Sequence, residues 1–346
     1  MVETGAWPAY VEIGPRRFRE RFGLAFEQLR AGLRFQHRPG LTLSQQDNRD
    51  ECLDTLNQQM LHFDQRFAAH TEWTRCLMDS TLTTKVVIGM TWKTFARRTD
   101  LLGFDEIALT APVFGGDTIY AESEVLGCSA SESDEPTGRV RVRTSGVNQH
   151  GDIVATFVYH LAVPRGADDN RAGDLRHRSH AEVEPGVYRE RMGLFLEDIE
   201  AGEVYEHRPG WTGSAEASER DTLRALDHSG VFSGWHPGQR RLAERTRINP
   251  LHVLAAVTGM QTKTFSRIVA NLAWQHVRFP APVHDGETVY AESTVVETRP
   301  SRSRPGQGIV HLRTSASNET GRAVCTFERK VLVYARGHGP YEAAGY

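Results

Sequence analysis

Apolar and polar positions along this chain fall into two runs of the same shape. Residues 106–113, 117–126, 139–148 and 153–163 are rich in Val, Ile, Thr and Tyr and are separated by Gly115-Gly116, Gly127 and Gly151, the pattern of strands divided by turns. Residues 270–279, 287–297, 308–318 and 323–333 repeat it. Ahead of each run stands the longest helical pattern of its half. One covers residues 82–98 after the N-cap residue types Asp79-Ser80-Thr81, and the other covers 250–268 after Asn249-Pro250, with proline in the first helical turn. Helical spacing groups Cys52, Leu53 and Leu56 within 47–59, and Leu223 with Leu226 within 219–227. Extended stretches are expected around 33–43 and 203–213, preceded by short amphipathic segments at 18–31 and 188–201. One long helix followed by antiparallel strands predicts an α+β domain in which a sheet wraps a helix.

The repetition is literal. At a constant offset of 170 residues, Ala111-Pro112-Val113 returns as Ala281-Pro282-Val283 and His37-Arg38-Pro39-Gly40 as His207-Arg208-Pro209-Gly210. Tyr120-Ala121-Glu122-Ser123 returns as Tyr290-Ala291-Glu292-Ser293, and Arg19-Glu20-Arg21 as Arg189-Glu190-Arg191. A single register over this span means a duplicated domain rather than a solenoid, whose periods run from about 20 to 50 residues. The expected division is an N-terminal domain at 1–165, a polar linker at 166–184, a C-terminal domain at 185–336 and a loose tail at 337–346. Positions that agree between copies serve the fold. Positions that differ in chemistry mark where one copy holds a task.

Composition narrows the classes. A chain of 346 residues with 39% hydrophobic and 25% charged residues is ordinary for two globular domains. A net charge of −3 with mixed signs gives no basic footprint for nucleic acid. No apolar run approaches a membrane span, and residues 1–16 lack the apolar stretch of a signal peptide. The four cysteines are scattered without a CxxC pair, which fits free thiols in the cytoplasm and argues against a zinc site. No Gly-rich phosphate loop is present, so a nucleotide cofactor is not expected.

The order of helix and strands, in duplicate, resembles the double hot-dog proteins of the MaoC-like hydratase and dehydratase group over residues 12–336. The stretches Ala111-Pro112-Val113-Phe114-Gly115-Gly116-Asp117-Thr118, Ala121-Glu122-Ser123-Glu124-Val125 and Val142-Arg143-Thr144-Ser145-Gly146-Val147-Asn148-Gln149 resemble the mesaconyl-CoA hydratase branch, also called β-methylmalyl-CoA dehydratase. The resemblance implies a cofactor-free, metal-free hydro-lyase that adds water to, or removes it from, a short enoyl thioester. The acyl group, small and branched or dicarboxylic, would be carried on coenzyme A or an acyl carrier protein. An internal pseudo-dimer allows but does not require a homodimer.

The (R)-specific hydratases of this fold place an Asp five residues before a His, with another Asp two beyond it. Here Asn57, His62 and Asp64 stand at those positions, whereas the second copy has Asp227 and Phe232 at the positions matching Asn57 and His62, and so lacks the histidine there. In the mesaconyl-CoA branch the comparable histidine lies in the C-terminal half. The resemblance makes His62 the general acid/base, Asn57 the residue that positions water and Asp64 a residue that orients the ring. An imidazole titrates near working pH, and an amide both accepts and donates hydrogen bonds. The start of the long helix, at Ser80 and Thr81, is the expected binding place for the thioester oxygen, against plain N-capping. Asn249-Pro250-Leu251-His252 imitates part of the hydratase signature but is read as a helix N-terminus. His37 and His207, identical in context, are read as structural, and Arg143 and Arg313 as solvated strand residues. Two other functions compete: a hot-dog thioesterase acting through Asp47, Asp50 or Glu51, and a non-catalytic binder of acyl thioesters, which the Asn at position 57 would suit.

Overall fold

The computed structural model describes residues 7–130, 136–166, 176–227 and 246–346. In chain order the first half carries β1 (Tyr10–Gly14), β2 (Arg17–Glu20), β3 (Arg34–Thr42), α1 (Gln45–Asp54), α2 (Gln65–Ala69), α3 (Ser80–Met90), β4 (Asp100–Leu109), β5 (Thr118–Ala130), β6 (Thr137–Val147) and β7 (Ile153–Pro164). The second half carries β8 (His180–Glu184), β9 (Val187–Glu190), β10 (Val204–Thr212), α4 (Ala215–Arg224), α5 (Pro250–Met260), β11 (Ile268–Arg278), β12 (Thr288–Pro300), β13 (Gln307–Asn318) and β14 (Ala323–Tyr334).

The first compact unit holds Phe22–Arg171 and Leu175–Arg191. Its sheet runs β4-β7-β6-β5-β3-β9-β8, antiparallel except where β3 meets β9. Burial alternates residue by residue along β6, so one face of the sheet is apolar. Onto that face α3 lays Val87 and Ile88, packed among Ile119, Val142 and Phe157 in one buried cluster. A helix wrapped by an antiparallel sheet is the hot-dog arrangement. The second unit holds Tyr10–Arg21 and Met192–Tyr346. Its sheet runs β1-β2-β10-β12-β13-β14-β11, and Val253 and Val257 of α5 fill its core with Val289, Ala316 and Phe327. Among the described residues no helix is long and apolar enough to cross a membrane.

The structure divides the chain less simply than the repeat implies. Residues 18–31, expected to open as an amphipathic segment, begin in β2, and the β1–β2 hairpin belongs to the second unit. Residues 180–184, expected to close a linker, form β8 and join the first unit through β9. Each hairpin carries a buried glutamate that the other half of the chain needs. Glu190 Oε1 lies 2.9 Å from His37 Nδ1, and Glu20 Oε1 lies 3.3 Å from His207 Nδ1. The repeated Arg-Glu-Arg and His-Arg-Pro-Gly motifs are the two sides of this pairing, which supports the structural reading of both histidines.

Three boundaries also move. The long helix stops at Met90, where the Thr91 hydroxyl donates to the Ile88 carbonyl at 2.7 Å and a 3-10 turn Thr91–Lys93 takes over. Leu56 lies beyond the end of α1, exposed and left-handed (φ 60°), and Leu226 repeats this (φ 61°). The tail packs through Tyr341, which is edge-on to Phe195 at 5.9 Å and lies under the Arg267 guanidinium at 4.1 Å.

The His-Arg-Pro-Gly motif also explains its glycine. Arg38 lies over the Tyr120 ring at 4.8 Å, and a Cβ on Gly40 would stand 2.6 Å from that ring and 2.9 Å from the Ile119 carbonyl oxygen. Because backbone cannot give way, Gly40→Ala is expected to cost about 1–3 kcal/mol, read as a lower urea midpoint at unchanged slope.

Candidate active site

Helix α1 begins with a capping box, in which Ser44 accepts from the Asp47 N–H and Asp47 from the Ser44 N–H. Past its end, a 3-10 turn Met60–His62 brings His62 back against α1. The His62 carbonyl accepts from Gln45 Nε2 at 2.5 Å and from Asn48 Nδ2 at 2.7 Å. Its ring Nδ1 lies 2.8 Å from the Leu77 carbonyl oxygen. A carbonyl only accepts, so Nδ1 carries the proton, and in the neutral ring Nε2 keeps its lone pair. The half-buried imidazole is thus held in the tautomer a general base requires.

Asn48 ties the parts together. Buried on α1, it also donates to the Leu77 carbonyl at 3.0 Å and accepts from the Asp79 N–H at 2.7 Å. Sequence reasoning missed it, although a signal existed. Its repeat partner is the polar Ser218, whose hydroxyl accepts the Asn249 N–H at 2.9 Å.

Asp79 caps α3 and is 2% exposed. Its Oδ1 accepts from the Thr81 N–H at 2.7 Å and the Thr81 hydroxyl at 2.8 Å, and its Oδ2 accepts from Asn57 Nδ2 at 2.7 Å. Burial alone would raise its pKa. The hydrogen bonds from Thr81 and Asn57, with His62 nearby, outweigh burial and hold the carboxyl below its usual range.

Of the five residues expected in the site, the structure joins Asn57, His62 and the α3 terminus through Asp79, Leu77 and Asn48. Thr81 is committed to Asp79 by both its N–H and its hydroxyl, the capping alternative. Ser80 is exposed at the first position of α3. Asp64 caps α2, accepting from the Phe67 N–H at 3.0 Å. In the second unit Asn249 caps α5, as the helix reading of that imitation motif expects. There His252 lies 3.0 Å from Asp221 and edge-on to Trp211 at 5.5 Å. Phe232 lies outside the described residues. The thioesterase carboxylates have local duties: Asp47 in its capping box, Asp50 with Gln46 at 2.6 Å, and Glu51 with Lys85 at 2.5 Å. Arg143 pairs with Glu124 at 2.9 Å and Arg313 with Glu328 at 3.0 Å on solvated sheet faces.

Each unit is a sheet wrapped around a helix, the hot-dog arrangement in duplicate, and the first holds a histidine of fixed tautomer near the N-terminus of α3. The mesaconyl-CoA hydratase family model matches the chain twice, over residues 12–186 and 177–345, and the chain belongs to that family. It is similar to a mesaconyl-CoA hydratase of Haloarcula hispanica, 31% identical over 146 residues, covering 42% of this chain and 41% of that protein. This chain thus spans about two fifths of that relative's length. A β-methylmalyl-CoA dehydratase of Chloroflexus aurantiacus is 22% identical over 262 residues, covering 71% of this chain and 74% of that one. A double hot-dog protein of Mycobacterium tuberculosis is 20% identical, covering 90% and 99% of the two chains with a TM-score of 0.39.

Proposed function

We propose that this chain is a hydro-lyase that interconverts an enoyl-CoA and a hydroxyacyl-CoA, with the chemistry in its first unit. Membership of the mesaconyl-CoA hydratase family favours a small branched or dicarboxylic acyl group. The observation that carries the reading is the His62 tautomer, set by the Leu77 carbonyl at 2.8 Å.

In the hydration direction, His62 Nε2 takes a proton from water as the water oxygen bonds to the β-carbon. The π electrons move onto the thioester oxygen as an enolate. The imidazolium then returns its proton to the α-carbon and the carbonyl re-forms, so one water is added and the enzyme is unchanged. Asn57 orients the water, a step in which geometry alone carries several kcal/mol. The enolate oxygen is met by the Ser80 N–H at the positive end of α3. Coenzyme A is part of the substrate, and the reaction draws on no other cofactor. An acyl carrier protein could present the same thioester. Four free thiols fit a reducing, cytoplasmic setting.

The test follows the enoyl absorbance of mesaconyl-CoA and crotonyl-CoA. Decay without release of thiol supports hydration, and release of thiol supports the thioesterase. Asp64→Ala is expected to cost about 1 kcal/mol as a lost N-cap, read in urea unfolding, with the hydration rate within a few-fold of wild type. A loss comparable to that of a His62 variant would instead put Asp64 in the proton pathway.

A further inference from the structure

The two copies exchange a carboxylate and an amide. Five residues before the histidine position the first copy has Asn57 and the second Asp227. At the cap of the long helix the first has Asp79 and the second Asn249. Capping does not require the exchange. Asp79 Oδ1 accepts from the Thr81 N–H at 2.7 Å, and Asn249 Oδ1 accepts from the Leu251 N–H at 2.9 Å. The second side-chain atom makes the difference. Asp79 Oδ2 accepts from Asn57 Nδ2 at 2.7 Å, whereas Asn249 Nδ2 donates to the Thr222 hydroxyl at 2.9 Å.

Donor and acceptor parity then fixes Asn57. Its Oδ1 accepts from the Gln59 N–H at 3.0 Å. A flipped amide would set oxygen against oxygen at Asp79 and N–H against N–H at Gln59. The remaining Nδ2 hydrogen and Oδ1 lone pair therefore have one orientation each. We propose that Asp79 is a positioning residue for the hydration. Its buried carboxylate holds Asn57 in its working orientation and supplies, from the helix cap, the negative charge that an aspartate at position 57 would carry. This rests on the reading of His62 as the acid/base.

Parity predicts an unusual mutational pattern. In Asp79→Asn the new amide must keep its oxygen on Thr81 to cap the helix, as Asn249 does on Leu251, so its NH2 faces the NH2 of Asn57. Asn57→Asp alone sets two carboxylates face to face. The double variant Asn57→Asp/Asp79→Asn restores the donor–acceptor match between positions 57 and 79 and at the Thr81 and Gln59 N–H groups, with the charge at the other position; the weak contact of the Cys52 thiol with Oδ2, at 3.9 Å, is the one it does not restore.

The experiment is steady-state hydration of crotonyl-CoA by full-length wild type, both single variants, the double variant and His62→Ala, each checked for folding by urea unfolding. Each single variant is expected to lower kcat about 10²-fold through misplacement with KM within a few-fold. The double variant is expected to regain kcat to within about tenfold of wild type and to recover the urea midpoint, as coupled neighbours do. Asp79→Asn at wild-type kcat, or a double variant no better than the singles, overturns the proposal. Should a single variant fail to fold, the double variant decides: folded and active supports, inactive or unfolded overturns. If His62→Ala matches wild type, the acid/base reading itself has failed and takes this proposal with it. If His62→Ala is inactive while Asp79→Asn is not, only the proposal falls.

Discussion

Replacing His62 by alanine is expected to lower kcat for hydration about 10²–10⁴-fold, the usual contribution of a positioned acid/base, at near-wild-type stability. The stability expectation follows from the contacts. The half-buried ring makes one hydrogen bond, to the Leu77 carbonyl at 2.8 Å, and that carbonyl keeps a second donor in Asn48 Nδ2 at 3.0 Å. The main-chain bonds from Gln45 and Asn48 to the residue 62 carbonyl do not depend on the side chain. His62→Gln separates shape from proton transfer, because an amide can fill the space and hydrogen-bond to Leu77 but cannot shuttle a proton. It is expected to be as inactive as the alanine variant. A glutamine variant near wild-type rate would mean that His62 only shapes the pocket.

Glu190→Ala is expected to be the most destabilising of these changes, by about 3–5 kcal/mol, because it leaves buried partners uncompensated. The Glu190 carboxylate accepts from Thr94 Oγ1 at 2.7 Å and the Arg38 N–H at 3.1 Å, beside His37 Nδ1 at 2.9 Å and Lys93 Nζ at 3.2 Å. Burial alone would raise its pKa. His37, Lys93 and His180 outweigh burial and hold it well below the usual carboxylate range. A carboxyl depressed in the folded state contributes stability above the pH at which the unfolded chain titrates, about 4.3. That contribution drains away as pH falls below this value toward the folded pKa. Wild type is therefore expected to lose stability in acid more steeply than Glu190→Ala, and urea midpoints between neutral pH and about pH 3 measure the difference. Parallel curves would remove Glu190 from the account. The second unit repeats the device with Glu20, also held low, against His207, Lys263 and Thr264.

Much of this architecture was legible in the sequence because it rests on local periodicity. Strands β5, β6 and β7 and the starts of α3 and α5 follow from alternation, capping residues and the proline at position 250. The assignment of the hairpins was not legible. Arg19-Glu20-Arg21 and Arg189-Glu190-Arg191 stand out in the sequence only as a repeat, and tertiary pairing shows each glutamate buried on a histidine from the other half of the chain. In the site, the repeat singled out His62 because Phe232 replaces it in the second copy. Asn48 and the second duty of Asp79 stayed hidden. Both are polar residues at helix positions, and their function lies in hydrogen bonds to segments 14 to 31 residues away.

The product formed from an enoyl-CoA in D2O shows whether His62 delivers a proton to the α-carbon. Wild type is expected to convert it to the hydroxyacyl-CoA with deuterium at the α-carbon and oxygen at the β-carbon, with no free thiol, and His62→Ala is not. Free coenzyme A in place of that product, or equal deuterium incorporation by His62→Ala and wild type, would contradict this expectation.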